Sequence, residues 1–292
     1  MRAAYDGGMS ARAIDLHTHS SVSDGTERPA DLVASAVRAG LGVVALTDHD
    51  STAGWSEASR AVAGTGLTLV PGMELSTRLG FMSVHVLGYL FDPAHPGLVA
   101  ETARTREARL HRAERIVERI AADYDLTWDD VLAQSGAGST LGRPHIADAL
   151  VARGYAPDRS AAFAGILHWR AGYYEPHEAP TPLDGVRLIR AAGGVPVIAH
   201  PATHGRDPNI SERSFLELVD AGLLGVEVRH RENTAAGKAR LLELAHRHDL
   251  VVTGSSDYHG EGKPNRLGEN STDPAEFARI VEAATGSSPV EG

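Results

Sequence analysis

The stretch that decides the fold is "AIDLHTHSSVSDGT", residues 13–26. Its first half has the pattern of a short buried strand, and two histidines one residue apart stand where that strand ends. Residues i and i+2 of a strand point to the same face, so His17 and His19 can bind one ion together. Neutral imidazoles suit Zn²⁺, Mn²⁺ or Fe²⁺. The stretch therefore indicates a metal site at a strand end.

The composition limits the chemistry of such a site. The chain has 292 residues, 42% of them hydrophobic, which is enough for one sizeable core. It has no cysteine, so any metal must be held by nitrogen and oxygen ligands. It has 15 histidines. We therefore ask where the histidines fall along the chain.

Charge and hydropathy predict the compartment and exclude some partners. The net charge of −10 argues against a broad surface for duplex nucleic acid, although bound cations can reverse the sign inside one cleft. No apolar run approaches membrane-spanning length, and the first residues lack the apolar core of a signal peptide. We expect a cytoplasmic protein with no membrane partner. The oligomeric state stays open.

The order of elements predicts an α/β fold with a helical insert. Residues 1–96 alternate strand and helix patterns, as in "PADLVASAVRAG" (29–40) followed by "GVVALTDHD" (42–50). The segment "FMSVHVLGYL" (81–90) is either the second arm of a hairpin or the next strand. Residues 97–180 show helical patterns alone, and strand–helix alternation returns over 181–292. Repeated strand–helix units indicate a mostly parallel sheet.

Histidines and carboxylates cluster at the predicted strand ends. One at a time, each has an ordinary explanation, because a buried histidine is more often a hydrogen-bonded core residue and a carboxylate after a strand is often a helix N-cap. As a set, these residues lie at the same end of successive strands. In α/β folds that end carries the ligand-binding and catalytic sites. A polynuclear metal centre explains that arrangement. The residues are His17, His19, Asp48, His49, Glu74, His85, His200, Glu227, His230, Asp257 and His259.

The motifs resemble those of the PHP (polymerase and histidinol phosphatase) family of metal-dependent phosphoesterases. The matching segments run from Asp15 to Gly260: "DLHTHSSVSDG", "LTDHD", "PGMELS", "VHVLGY", "GRPHIA", "IAHP", "VEVRH" and "GSSDYHG". The chain is most similar to the stand-alone bacterial branch with a helical insert. That branch includes phosphatases of nucleoside 3′,5′-bisphosphates and 5′-to-3′ exoribonucleases.

The resemblance implies a distorted (β/α)7 barrel, similar to a TIM barrel, that holds three divalent ions. Carried over by motif, the first ion takes His17, His19, Glu74 and Asp257. Glu74 bridges to a second ion that His85 and His200 complete, and Asp24, His49 and His259 hold the third. Asp24 stands where histidinol phosphatases tend to carry another histidine, which favours the nucleotidase-like branch.

A second His-x-His barrel superfamily, the amidohydrolases, is the structural rival. Its usual bridging ligand is a carboxylated lysine at a strand end. The chain has two lysines, Lys238 in a predicted helix and Lys263 in a predicted loop, and neither position favours bridging. Glu74 does have such a position.

The expected chemistry is phosphate ester hydrolysis by a metal-bound hydroxide. His230 is a candidate acid or outer group, and Asp48 either orients a ligand histidine or caps a helix. In the insert, Arg143 and His145 match a family motif, and an arginine fork suits a second phosphate, although Arg143 also opens a helix. Arg206 follows the "HP" motif as a further phosphate ligand, displaced from the usual family position.

We expect two to three divalent ions, Mn²⁺ first, with Fe²⁺ or Zn²⁺ as alternatives. The predicted substrate is a nucleoside 3′,5′-bisphosphate, which loses its 3′-phosphate, or a short 5′-phosphorylated oligoribonucleotide. Histidinol-phosphate phosphatase and a non-catalytic metal- or nucleotide-binding domain stay open as alternatives.

Overall fold

A computed structural model describes residues 12–136, 138–203 and 211–292 of the chain. Its strands form one mixed sheet in the order β1-β2-β3-β4-β5-β6-β7, and β8 pairs with β3. The strands are β1 (Ile14–Asp15), β2 (Val43–Leu46), β3 (Thr68–Leu79), β4 (Met82–Tyr89), β5 (Val195–Ile198), β6 (Gly225–Arg229), β7 (Val251–Gly254) and β8 (Val290–Glu291).

The sheet curls until its first and last main strands almost meet. Beyond the ends of β1 and β7, Thr18 and Tyr258 form a parallel bridge, and the His19 N–H donates to the Tyr258 carbonyl at 2.8 Å. Buried Leu87, Val197 and Val251 belong to one apolar cluster that lies along the curled sheet. The expected distorted (β/α)7 barrel, an α/β fold, is thereby confirmed.

Ten helices surround the sheet within the described ranges. They are α1 (Pro29–Arg38), α2 (Trp55–Ala61), α3 (Pro96–Ile120), α4 (Trp128–Leu132), α5 (Arg143–Ala152), α6 (Arg159–Ala164), α7 (Pro182–Ala191), α8 (Glu212–Asp220), α9 (Ala235–Arg247) and α10 (Pro274–Ala283). Side chains of Thr181 and Thr234 cap α7 and α9, and proline opens α1 and α7, as expected for first-turn positions. None of these helices is long and apolar enough to cross a membrane.

A β-hairpin breaks the parallel order. β4 is antiparallel to β3 and to β5, so the segment whose role the sequence left open is the second arm of a hairpin. The hairpin extends β3 to Leu79, and Glu74 therefore lies inside β3 rather than at its end. Ser76 pairs with His85 across the two arms and Glu74 pairs with Leu87, so His85 lies diagonally across the hairpin from Glu74.

The helical segment between β4 and α7 has a hydrophobic core of its own. Ile116 of α3 packs with Val131 of α4 and with Ile146 and Leu150 of α5, all of them buried. No strand interrupts α3 to α6 among the described residues of this segment.

Two buried arginines join this segment to the barrel. Arg109 of α3 donates to the Ser76 hydroxyl at 2.8 Å, and its guanidinium lies 3.5 Å from the Asp50 carboxylate. Arg159 of α6 donates to the carbonyl of Asp24 at 2.9 Å and forms an ion pair with Asp148 of α5. The helices are thus attached beside the predicted metal ligands.

Candidate metal centre

The His-x-His pair lies at the floor of the site. His17 and His19 are fully buried and follow β1 on the same face, and their Nε2 atoms are 3.0 Å apart. Two imidazole nitrogens at that distance share either a proton or a cation. The Asp257 Oδ1 atom lies 3.5 Å from His17 Nε2 and 3.4 Å from His19 Nε2. These atoms, with Glu74, form a group whose ligand atoms all lie within 4.8 Å of one another.

Glu74 lies between two groups of imidazoles. Its side chain is 2% exposed, and its two oxygens face different partners. Oε2 lies within 3.1–3.3 Å of nitrogens of His17, His19 and His49. Oε1 lies 2.7 Å from His85 Nδ1 and 3.2 Å from His200 Nε2. A carboxylate in this position is suited to bridge two cations.

A third group forms around Asp24. The His259 Nε2 atom lies 3.2 Å from Asp24 Oδ1, and the His49 Nε2 atom lies 3.8 Å from Asp24 Oδ2. The loop that carries Asp24 folds back on His19, and a Cβ at Gly25 would overlap the His19 backbone carbonyl. The glycine of "SDG" in the opening stretch is therefore required by this tight return.

All the ligands predicted from the sequence thus converge on one place. The structure brings together His17, His19, Asp24, His49, Glu74, His85, His200, Asp257 and His259.

The donor set fits cations rather than hydrogen bonds alone. Asp24 Oδ1 and His49 Nδ1 are buried atoms without a hydrogen-bond partner among the described residues. Burial lowers the pKa of His17, but Glu74, Glu227 and Asp257 raise it more, so this pKa lies well above its ordinary value. Burial raises the pKa of Glu74, but His85, His49 and His17 lower it well below its ordinary value. Glu74 is therefore held as a carboxylate among these rings.

Backbone strain marks two of these positions. His200 has φ 30° and Asp257 has φ 55°, although neither is glycine. Such conformations cost on the order of 1–3 kcal/mol each and cluster at functional sites. The strain re-aims each side chain after its strand has ended, so that both turn toward Glu74.

Glu227 is an orienting residue that the sequence placed at a strand end without giving it a role. It is fully buried on β6, its Oε1 lies 3.1 Å from His17 Nδ1, and its Oε2 accepts from the His200 N–H at 2.8 Å. A carboxylate behind one ring nitrogen fixes the tautomer that presents the other nitrogen to an ion. Its position in "VEVRH", at the end of a predicted strand, was the sequence feature that could have indicated this role.

Asp48 orients the ligand loop rather than capping a helix. Its carboxylate accepts from the Ser20 N–H at 2.8 Å, from the Ser20 hydroxyl at 2.7 Å and from the Ser23 hydroxyl at 2.7 Å. The N-cap of α2 is Gly54. Ser23 in turn lies 3.4 Å from His19 Nδ1, so one serine links Asp48 to this predicted ligand.

His230 is buried next to the site. Its Nε2 atom lies 3.7 Å from Asp257 Oδ2 and has no hydrogen-bond partner in the part of the chain that the structure describes. Burial lowers the pKa of His230, but Asp257 and Glu227 raise it above the ordinary value.

A cavity of about 530 Å³ opens over the centre. Its wall includes the predicted ligands Asp24, His49 and His85 and is strongly basic. Asp24 and Glu232 are the only carboxylates among the described lining residues, against the cations Arg109, Arg112, Arg143, Arg159, Arg231 and Lys263. In a chain of net charge −10, this is a local reversal of sign that suits an anionic substrate.

The three residues predicted to bind substrate differ in where the structure places them. Arg143 lines the cavity with its guanidinium carbon 5.2 Å from the Phe163 ring centre and 5.3 Å from that of Tyr174. His145 is buried, and its Nδ1 accepts from the Gly142 N–H at 3.2 Å, which caps α5. Arg206 lies outside the described residues.

Lys263 reaches the centre, which the sequence analysis did not predict. Its Nζ lies 2.7 Å from Asp257 Oδ2, whereas the nitrogens of His17 and His19 lie near Oδ1 of the same carboxylate. The loop after β7 carries Lys263 to the metal centre. A loop position of this kind has no periodic pattern in the sequence. Among the described residues it forms an ion pair with one carboxylate, whereas Glu74 faces two groups of imidazoles.

Comparison with known proteins agrees with this geometry. The PHP domain model matches residues 15–125. The 3′,5′-nucleoside bisphosphate phosphatase of Chromobacterium violaceum is 34% identical over 87% of this chain and 89% of its own length. The 5′-3′ exoribonuclease Rnm of Salmonella typhimurium is 31% identical over 84% of each chain. A phosphoribosyl 1,2-cyclic phosphate 1,2-diphosphodiesterase of Eggerthella lenta is 33% identical over 85% of this chain and 94% of its own length.

Two solved structures share the whole fold. An inferred metal-dependent phosphoesterase from Bifidobacterium adolescentis has a TM-score of 0.91 and 44% identity, over 94% of this chain and 97% of that one. A protein from Chromobacterium violaceum described as an amidohydrolase, with bound sulfate and no metal, has a TM-score of 0.84 and 31% identity over the same shares. The names of the relatives support the prediction of a metal-dependent hydrolase acting on phosphoesters. With its converging histidines and carboxylates and these full-length matches, the chain belongs to the PHP family.

Proposed function

We propose that this protein hydrolyses phosphate monoesters of nucleotides, and that its preferred reaction is removal of the 3′-phosphate from nucleoside 3′,5′-bisphosphates. Short 5′-phosphorylated oligoribonucleotides are the second substrate class, as suggested by the exoribonuclease relative. The observation that carries the proposal is Glu74, whose two oxygens face separate groups of imidazoles beneath a basic cavity.

Three groups of residues would hold two to three divalent ions, with Mn²⁺ the first choice. The first is His17, His19, Glu74 and Asp257, the second Glu74, His85 and His200, and the third Asp24, His49 and His259. Such ions, when bound, neutralise phosphoryl oxygens and supply hydroxide at neutral pH. The set contains nitrogen and oxygen donors only, which Mn²⁺, Fe²⁺ and Zn²⁺ all accept.

The chain's own residues orient these ligands. Glu227 fixes the ring of His17, and Asp48 holds the loop that carries Asp24. His230 can hold a proton at Nε2 beside Asp257, but it is not among the described residues that line the cavity. Its position favours an outer role behind Asp257 over direct proton transfer to the leaving oxygen.

The helical segment, residues 97–180 between the barrel parts 1–96 and 181–292, would act as the substrate-recognition domain. Its own apolar core and its contribution of Arg109, Arg143 and Arg159 to the cavity wall support this division. Arg143 would bind a second phosphate between its two aromatic neighbours. His145 would support Arg143 by capping α5, and Arg206 stays a prediction.

A substrate panel tests the proposal. Phosphate release by Mn²⁺-loaded protein is measured with adenosine 3′,5′-bisphosphate, a 5′-phosphorylated tetraribonucleotide, a cyclic ribose phosphodiester and histidinol phosphate, beside a His19→Ala control. We expect the bisphosphate to give the highest kcat/KM and the variant to lose that activity. Preferential turnover of histidinol phosphate or of the cyclic diester would replace the proposed substrate. No turnover of any of the four would favour a binding role for the domain.

A further inference from the structure

The two carboxylate oxygens of Asp257 face different kinds of partner. Oδ1 lies 3.5 Å from His17 Nε2 and 3.4 Å from His19 Nε2. Oδ2 lies 2.7 Å from Lys263 Nζ and 3.7 Å from His230 Nε2. A carboxylate can offer a cation one oxygen or both. Since an ammonium group is a donor without an acceptor, Lys263 occupies Oδ2 and leaves Oδ1 for an ion.

Asp257 differs in this respect from the other two predicted carboxylate ligands. Within the described ranges, the carboxylates of Asp24 and Glu74 form ion pairs with histidines alone. Asp257 is buried, with a backbone φ of 55° that turns its side chain toward the centre. Hydrogen bonds between two charged groups are roughly twice as strong as neutral ones. The lysine thus places a strong bond on one ligand of the set.

The loop that carries Lys263 is bonded on both sides of it. The turn before it, Gly260–Gly262, donates a backbone N–H to the Thr26 hydroxyl at 2.9 Å. After it, the buried side chain of Asn265 donates from Nδ2 to the backbone carbonyl of Asp257 at 3.3 Å. These bonds fix the backbone from which the lysine side chain reaches the carboxylate.

We propose that Lys263 is a positioning residue of the metal centre, which holds Oδ2 of Asp257 so that Oδ1 alone is offered to the first ion. This inference rests on the metal centre of the proposed function and is independent of which phosphate ester is cleaved. Partners behind a metal ligand fix its orientation, and their loss weakens metal binding. Asp257 then serves a single ion, and Glu74 is the carboxylate that joins two.

The binding test titrates chelator-treated, full-length protein with Mn²⁺ and reads the unbound ion from its electron paramagnetic resonance signal. We expect Lys263→Met to raise the apparent Kd for Mn²⁺ by ~10-fold to 100-fold. Lys263→Arg keeps the charge and should restore most of the affinity. The matched control is Lys238→Met, which removes the chain's other lysine from α9, a helix without predicted ligands.

Three outcomes would overturn the role of Lys263. Unchanged Mn²⁺ binding by folded Lys263→Met would leave the lysine with a structural role, and an equal loss in Lys238→Met would show a general charge effect. Tighter binding would show that the lysine competes with the ion. If Lys263→Met does not fold, Lys263→Gln, which still carries a donor, takes its place, and the same rise in Kd is expected at smaller size.

A kinetic readout separates ligand positioning from substrate binding. With adenosine 3′,5′-bisphosphate and saturating Mn²⁺, we expect Lys263→Met to lower kcat and leave KM near the wild-type value. A raised KM with unchanged kcat would assign the lysine to the substrate instead and contradict the proposal. Mn²⁺ binding needs no turnover, so failure of every substrate would refute the proposed function and leave the comparison of Kd values intact.

Discussion

Glu227 shows how one buried carboxylate can orient a metal-binding histidine. It contacts the Nδ1 of His17 and the backbone N–H of His200 and faces no solvent. Glu227→Gln keeps the volume but removes the charge, so the ring of His17 loses its fixed tautomer. We expect metal affinity or activity to fall by ~10-fold to 100-fold. Phosphate release and bound metal, measured by mass spectrometry, check this, and unchanged values in both would remove Glu227 from the centre.

His177 makes stability depend on pH with a definite sign. Burial and the neighbouring Arg112, Arg109 and Arg78 lower its pKa from 6.5 to about 2 in the folded protein, and His85 contributes in the same direction. Below pH 6.5 the unfolded chain binds a proton that the folded chain refuses, so the free energy of unfolding falls as the pH falls. This contribution is fully present above pH 6.5.

Denaturant unfolding of wild type and His177→Gln at pH 7.5, 6.5, 5.5 and 4.5, in phosphate-free buffer, measures that contribution. We expect the wild type to lose more stability than the variant on acidification, with the difference growing below pH 6.5. Parallel curves would show that His177 titrates normally in the folded protein.

At the scale of elements, helix α3 is fastened to the barrel by Arg109. Its guanidinium contacts Asp50, the Ser76 hydroxyl and the Leu141 carbonyl. Arg109→Met leaves the buried Asp50 without its ionic partner, and we expect the free energy of unfolding to fall by about 3–5 kcal/mol. Arg104→Met, on the exposed face of α3, breaks only surface pairs with Glu101 and Glu178 among the described residues and should cost less than about 1 kcal/mol. Equal losses in denaturant titrations would refute the role of Arg109.

The elements also show what sequence patterns can predict. Strand and helix alternation was sufficient to predict a mostly parallel α/β sheet, because each unit carries its own period and turn signals, whereas the barrel was predicted from the resemblance of the motifs to the PHP family. The sequence did not decide whether residues 81–90 form a hairpin with β3. An alternating segment has the same period in a parallel and in an antiparallel strand. His17 and His19 were predictable from a two-residue spacing. The position of Lys263 at the site was not predictable. The path of a loop produces no periodic pattern in the sequence.

At the scale of the whole molecule, the metal centre ties the two parts of the barrel together. Its residues come from every main strand region, from His17 after β1 to His259 after β7, so bound ions link segments far apart in the chain. A ligand at 100 times its Kd stabilises the folded state by about 2.7 kcal/mol. We expect Mn²⁺ added to chelator-treated protein to raise the Tm by roughly 5–10 °C, since 1 kcal/mol is worth ~2–4 °C at this size. A Tm that changes neither on chelator treatment nor on addition of Mn²⁺ would argue against ions at the centre.

The measurement that tests the central claim most directly is anomalous scattering from crystals grown with Mn²⁺, for wild type and Glu74→Gln. We predict two or three manganese peaks within the nine predicted ligands, two of them on opposite sides of Glu74. The variant should lose at least one of that pair. No peak among these residues, or an unchanged set of peaks in Glu74→Gln, would contradict the account of Glu74 as the bridging ligand of a polynuclear metal centre.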